Sequence, residues 1–310
     1  MTVLADLHRH LEGSIRPATA VELAARSPIS PPPARSAFVA ADREAGLLPY
    51  LAKIENATAL VRTLDDWRRV TAEAIADAAD DGLAAVELRF SPQFIAGMTG
   101  LDADDVIEAV ADAAAGSAAG SARPIEVGLI GIIVRDEGPD SARAQVRRLL
   151  WHRAALVGVD LAGDEAGYPV ALFAPAFRLA REAGLPATIH AGEADGPRSV
   201  WDALRLGPQR IGHGVRSAED PRLLDHLAAS GVTLEVAISS NVQTGAARSR
   251  SLHQLAALAA AGVRVALCTD NPAVSDTRLS REYEIAGDLV DAATLDGIRR
   301  NALAARFARS

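Results

Sequence analysis

Two histidines separated by one residue stand near the start of the chain, His8 and His10 in Asp6-Leu-His-Arg-His-Leu-Glu-Gly13. On a strand, residues i and i+2 share a face, so both imidazoles would enter one space. Neutral imidazole suits Zn²⁺, although two hydrogen-bonded or exposed histidines would fit the same pattern. Three later positions extend the set. His190 ends Ala-Thr-Ile-His, His213 sits between Gly212 and Gly214, and Asp270 ends Val-Ala-Leu-Cys-Thr-Asp. A catalytic zinc needs a few protein ligands and one position open to water, and three histidines with a carboxylate supply that donor set. Such an ion brings the pKa of a bound water down to about 7. Glu193 lies three residues past His190, beyond two small residues, and can turn into the same pocket as a proton donor. Standing alone it would read as a solvated loop acid. His213 is left as a base or electrostatic partner beside the ion, or as a packed histidine at a tight strand exit.

These residues need a scaffold that brings strand ends together. Eight short apolar runs read as buried strands: Thr2–His8, Val86–Phe90, Glu126–Val134, Val157–Gly163, Pro186–Gly192, Arg210–Gly214, Thr233–Ser239 and Arg264–Asp270. Helical spacing lies between most of them, as in Phe173–Ala183 and Pro221–Ala229, each followed by a glycine (Gly184, Gly231) where a helix would stop. Strands alternating with helices imply parallel βαβ units, and eight of them predict a closed (β/α)8 TIM barrel. Alternation alone also fits an open doubly wound sheet. The barrel is preferred because the polar residues fall at the C-terminal ends of several strands, where such barrels build their sites. The other three of the seven histidines, His152, His226 and His253, lie in helical or connecting stretches and read as surface residues.

Two stretches break the rhythm. Ser27–Ala34 holds four prolines and must be a loop. From there to about Leu64 the chain is too long for a simple βα connection, so the segment 27–64 is either a lid over the barrel mouth or plain surface packing. Ala113–Ser121 reads as a helix end and linker. With neither a repeat nor a boundary in view, residues 1–310 are expected to form a single catalytic domain.

Composition narrows the partners. A formal charge of −8 argues against a nucleic-acid or anionic-membrane surface and suits a small-molecule substrate. Cys268 is the one cysteine, which rules out an internal disulfide and a cysteine-rich zinc site. It falls two residues before Asp270 and reads as a small packed thiol. No signal-like start and no membrane-length apolar run are present, so a reducing cytoplasm is the expected compartment. The oligomeric state stays open.

Beyond these local readings, His8-Arg-His-Leu-Glu-Gly-Ser-Ile-Arg-Pro17, Val86-Glu-Leu-Arg-Phe-Ser-Pro92, Asp160-Leu-Ala-Gly-Asp-Glu165, His190-Ala-Gly-Glu193, Arg210-Ile-Gly-His-Gly214, Ser240-Asn-Val-Gln-Thr244 and Thr269-Asp-Asn-Pro272 resemble, in matching order, motifs of the adenosine deaminase family. The cysteine-ligated zinc deaminases are a different class. The resemblance implies a metal-dependent hydrolase barrel with one Zn²⁺ per chain, held by His8, His10, His190 and Asp270. Glu193 would protonate purine N1, while His213 and Asp270 would orient and deprotonate the water that attacks C6. Adenosine or 2′-deoxyadenosine would become inosine, with release of ammonia. His10, Glu12, Gly163 and Asn271 would contact the nucleoside, Gly163 through its amide to N3 and Glu12 at the ribose hydroxyls.

Two positions depart from the family pattern. Glu12 and Asn271 each stand where the family usually has Asp, the latter contacting purine N7. An amide donates to N7 without first holding a proton. Arg89 and Ser91, at the second strand's end, are read as structural with a substrate role as the alternative. Rival functions are deamination of another 6-aminopurine (adenine, a 5′-modified adenosine, aminodeoxyfutalosine), hydrolysis of a different bond, and non-catalytic binding.

Overall fold

A computed structural model describes residues 3–26, 34–120 and 123–308. All eight expected strands form: β1 (Leu4–His10), β2 (Leu83–Phe90), β3 (Glu126–Val134), β4 (Gly158–Ala162), β5 (Thr188–Ala191), β6 (Arg210–His213), β7 (Thr233–Val236) and β8 (Arg264–Leu267). Each pairs in parallel with its sequence neighbour within two four-stranded halves, β1–β4 and β5–β8. Single bridges join the halves, Val159 with Ala187 on one side and Arg9 with Asp270 on the other. The sheet therefore closes into the expected barrel.

Alternation along each strand separates two environments. On β7, Leu234 and Val236 join the large apolar core, whereas Glu235 between them meets His8, Arg89 and Thr188 from other strands. On β5, Ile189 joins that core, while Thr188 and His190 bond to Glu235 and Asp160. The barrel's waist is thus polar and its outer layer apolar. Trp67 is fully buried on helix Leu64–Asp80, which packs against β2 in the outer layer. The cap of this helix comes from Thr63, whose hydroxyl accepts the Asp66 amide at 3.1 Å. Cys268 is a packed thiol, clustered with Ala5, Leu7, Ala85 and Ala266.

The differences from expectation lie at element ends. β1 runs on to His10, while β7 and β8 stop short at Val236 and Leu267. The chain bends where the chemistry sits: Asp270 and His213 hold φ of 63° and 60°, a left-handed conformation that side chains other than glycine rarely adopt. After β7 the expected strand residues Ile238 and Ser239 instead begin helix Ile238–Gln243. The Ala-rich stretch expected to end in a linker continues as helix Ala103–Gly120, in keeping with alanine's helix preference.

Ser27–Pro33 of the expected loop lie outside the described residues. The rest of that segment holds a turn at Arg35–Ala37 and helix Leu47–Thr58. The helix is tied to the C-terminal strand exits: Tyr50 hydroxyl lies 2.7 Å from the Ser275 hydroxyl, and Tyr50 and Ile54 pack on Val274.

Candidate active site and metal centre

The strand ends bring four of the singled-out side chains to one point. His10 Nε2 lies 3.2 Å from His8 Nε2, 3.3 Å from His190 Nε2 and 3.3 Å from Asp270 Oδ1. His8 Nε2 is also 3.3 Å from Asp270 Oδ1. Donors held about 2.0–2.1 Å from a common ion at tetrahedral angles stand about 3.3 Å apart, so the spacing and the N/O donor set fit a divalent cation of the zinc kind. Gly212 keeps the space open, because a Cβ there would sit 3.0 Å from His8 Cε1 and 3.2 Å from His190 Cα.

Carboxylates behind the ring fix which imidazole nitrogen faces inward. His8 Nδ1 meets Glu235 at 2.8 Å and His190 Nδ1 meets Asp160 at 3.0 Å. A carboxylate accepts the Nδ1 proton, which leaves each Nε2 lone pair for a metal. Arg89, fully buried, bridges the two carboxylates at 2.8 Å to Asp160 and 2.9 Å to Glu235, and Arg210 pairs with Glu235 and Glu87 from below. Buried charges of this kind cost desolvation unless paired. Here each is paired, and Arg89 serves as a support under the histidines.

His213 also has a ligand atom within 4.8 Å of those of His8, His190 and Asp270. Its two nitrogens are otherwise engaged, with Nδ1 2.9 Å from the Asn241 side-chain nitrogen and Nε2 3.4 Å from Glu193 Oε2. The contacts of His10 make it the better fourth donor.

Glu193 rides on a loop clamped by Glu165. That carboxylate accepts backbone N–H groups from Gly192 at 2.5 Å, Glu193 at 3.0 Å, Ala194 at 2.7 Å and Asp195 at 3.1 Å. Glu193 itself is buried, and its Oε1 has no hydrogen-bond partner. Burial first, then the charges of Asp270 and Glu165, push its carboxyl well above the usual range, which favours the protonated acid. Asp270 is held by its neighbours: its N–H donates to His8 carbonyl at 2.7 Å, and its Oδ2 accepts the Ser240 hydroxyl at 2.5 Å.

These groups open on a cavity of about 440 Å³, within the range of small-ligand sites. His10, Glu12, Gly163, His190, Glu193, His213, Asp270 and Asn271 all line it, so every residue expected to touch substrate reaches one hollow; His8 lies buried behind it. Leu47, Leu51 and Ile54 of helix Leu47–Thr58 form part of its wall. Glu12 accepts the Ser91 amide at 2.7 Å with Oε1, while its Oε2 is unpartnered. Burial pushes Glu12 up to about 7, with the Ser91 amide opposing. Gly163 turns at φ 113°, where a Cβ would meet Asp136 Oδ2 at 2.0 Å. Ser91 caps helix Pro92–Thr99 and lines the cavity.

One residue read as a surface histidine is not. His253 is 5% exposed, tucked against helix Ile238–Gln243 with Nε2 3.2 Å from Asn241 Oδ1. His226 is exposed and His152 half-buried beside Asp104. Arg89, expected to be structural or to touch substrate, holds Asp160 and Glu235 behind the histidines, whereas the supports Asp160, Glu165 and Glu235 are not singled out by the sequence. Their signal was a charge inside an apolar strand, as in Val86-Glu-Leu-Arg89 and Leu234-Glu-Val236, since a buried charge requires a partner.

Comparison with known proteins agrees with this geometry. A family model described as adenosine deaminase matches residues 4–310. An adenosine deaminase of Klebsiella pneumoniae is 41% identical over 289 residues, covering 91% of this chain and 86% of its own. Among solved structures, an adenine deaminase from Arthrobacter aurescens superposes with a TM-score of 0.90 at 27% identity, covering 99% of this chain and 94% of that one. A zinc-bound amidohydrolase from Burkholderia ambifaria gives 0.91 at 26% identity, covering 99% and 86%. A match along nearly the whole chain, with the histidines and acids of its motifs converging in one cavity, identifies the chain as a member of the adenosine deaminase family.

Proposed function

We propose that the chain hydrolyses the C6 amine of adenosine and 2′-deoxyadenosine, giving the 6-oxopurine nucleoside and ammonia. The observation that carries this is a buried, unpartnered carboxyl oxygen on Glu193 in the same cavity as the four-donor cluster. A proton donor placed to meet a ring nitrogen beside the attacked carbon suits deamination better than hydrolysis of a different bond, such as an amide or ester.

His8, His10, His190 and Asp270 hold one Zn²⁺, which when bound lowers the pKa of a water to about 7. Glu193 gives its proton to N1, which draws electrons from C6. Asp270 takes a proton as the water oxygen adds to C6, and passes it to the departing amine. The C6–N bond breaks as the C6 carbonyl forms. Of the two water protons, one ends on ammonia and the other on N1 by way of Glu193, so the protein returns to its starting state.

Recognition follows from the lining. Gly163 presents its amide to N3, and the free oxygen of Glu12 accepts from ribose hydroxyls. Asn271 offers Nδ2–H to N7 and its unpartnered Oδ1 to the 6-amine, the two-point contact by which an amide reads adenine. Helix Leu47–Thr58, with the turn before it, acts as the gate over this pocket.

A second reading, deamination of free adenine, is raised by the Arthrobacter structure. Glu12 favours the nucleoside, because a buried acceptor is left unsatisfied by a base lacking hydroxyls. A panel of adenosine, 2′-deoxyadenosine, adenine and adenosine 5′-monophosphate, followed by ammonia release, tests the order. Adenosine is expected to exceed adenine in kcat/KM by at least about a hundredfold. A higher value for adenine reverses the assignment, and no ammonia from any member supports a non-catalytic binder.

A further inference from the structure

Outside the reacting groups, His213, Asn241 and His253 form a buried hydrogen-bonded row, its last member lying between the turn Arg250–Leu252 and helix Leu255–Ala260. Its members are spaced 2.9 Å (Asn241 Nδ2 to His213 Nδ1) and 3.2 Å (His253 Nε2 to Asn241 Oδ1). The far end is anchored to backbone, where the Leu255 N–H donates to His253 Nδ1 at 3.0 Å. A backbone amide can only donate, so His253 Nδ1 holds a lone pair and the neutral ring carries its proton on Nε2. Burial holds His253 down at about 4, which keeps that ring neutral near pH 7.

The rest follows link by link. His253 Nε2–H must donate, so the Asn241 atom facing it is the carbonyl oxygen. The Asn241 amide nitrogen then faces His213 and donates to its Nδ1. Turning the amide over would set NH₂ against an N–H and leave neither with an acceptor. His213 Nδ1 is therefore an acceptor, and the neutral ring carries its proton on Nε2, the nitrogen turned toward Glu193 and the cavity.

We infer that Asn241 and His253 are positioning residues that fix His213 as an Nε2–H donor toward the attacking oxygen, so that His213 stabilises charge there and Asp270 alone takes the proton. A ring already protonated on Nε2 has no lone pair to offer the water. Accepting a second proton on Nδ1 would drive an N–H against the Asn241 amide. This differs from the arrangement in which a carboxylate behind a histidine holds the proton on Nδ1 and frees Nε2 as a base. The kinetic part of the inference rests on the deamination reading, whereas the tautomer itself does not.

Zinc-loaded protein labelled with [¹⁵N]histidine tests it by long-range ¹H–¹⁵N correlation, with the His213 signals identified by their loss in His213→Gln. The wild type is expected to show a bare Nδ1 and a protonated Nε2 at His213. Asn241→Asp replaces the donor with an acceptor and should reverse the two. Its kcat on adenosine should fall about ten- to a hundredfold, with KM changed less than about threefold. A wild-type spectrum with the proton on Nδ1 overturns the inference, as does an Asn241→Asp enzyme with unaltered or higher kcat. If that variant does not fold, the His253 pair decides. His253→Ala should give mixed tautomers and a lower kcat, and His253→Gln, which keeps a donor toward Asn241, should restore both. Equal rates and spectra for the two overturn the inference. A wild type that shows the expected tautomer but releases no ammonia from adenosine marks a failure of the substrate reading and leaves the tautomer assignment standing.

Discussion

Exchanging Glu193 for glutamine is expected to lower kcat on adenosine roughly a thousandfold, about 4 kcal/mol in barrier, with zinc content unchanged. The variant is nearly the same size, and its loop is held by four backbone hydrogen bonds to Glu165, none of which uses the Glu193 side chain. The amide can still donate a hydrogen bond to N1 but has no proton to transfer. KM should therefore move little, because the lost interaction belongs to the transition state. Metal analysis alongside steady-state kinetics separates this from a disrupted site. A rate within about tenfold of wild type would remove Glu193 from the proton-donor role.

Loss of the metal is expected to be as severe, and His190→Ala gives the cleanest form of it. The substitution deletes one donor and keeps the backbone carbonyl that Arg135 grips. Asp160 retains its ion pair with Arg89, so no buried charge is stranded and the barrel should fold. Zinc affinity should drop by more than the ten- to hundredfold seen when only a supporting partner of a ligand is lost. The protein should then purify with well under one ion per chain and negligible turnover. Thermal stability provides a second readout, since an ion present at a thousand times its Kd stabilises the fold by about 4 kcal/mol. Chelation should lower the Tm of the wild type and leave His190→Ala nearly unmoved. A variant that keeps one zinc per chain at wild-type affinity would show that His190 is not a ligand.

Much of this was legible in the chain because strand physics is local. Apolar runs of four to nine residues between helical stretches suffice to place a barrel, and histidines at the polar ends of those runs must meet at its mouth. The sequence singles out His8, His10, His190, His213 and Asp270 by their places at strand ends, and Glu193 by its place three residues past His190. Strand ends were harder, since Asp270 and His213 leave their strands through left-handed turns stabilised by contacts from elsewhere, such as the Asp270 N–H to His8 carbonyl. The supports were hardest of all. Nothing near Glu235 tells that it will sit behind His8, and nothing near His253 tells that a turn folds it under Asn241. Such partners are set by the closing of the barrel, and in the sequence they show only as charged or polar residues among apolar neighbours.

The most direct test is a crystal structure of the protein with data collected on both sides of the zinc absorption edge. The account predicts one anomalous peak per chain, about 2.0–2.2 Å from a nitrogen of each of His8, His10 and His190 and an oxygen of Asp270. A metal peak elsewhere, or one whose shell omits two or more of these four side chains, would contradict it.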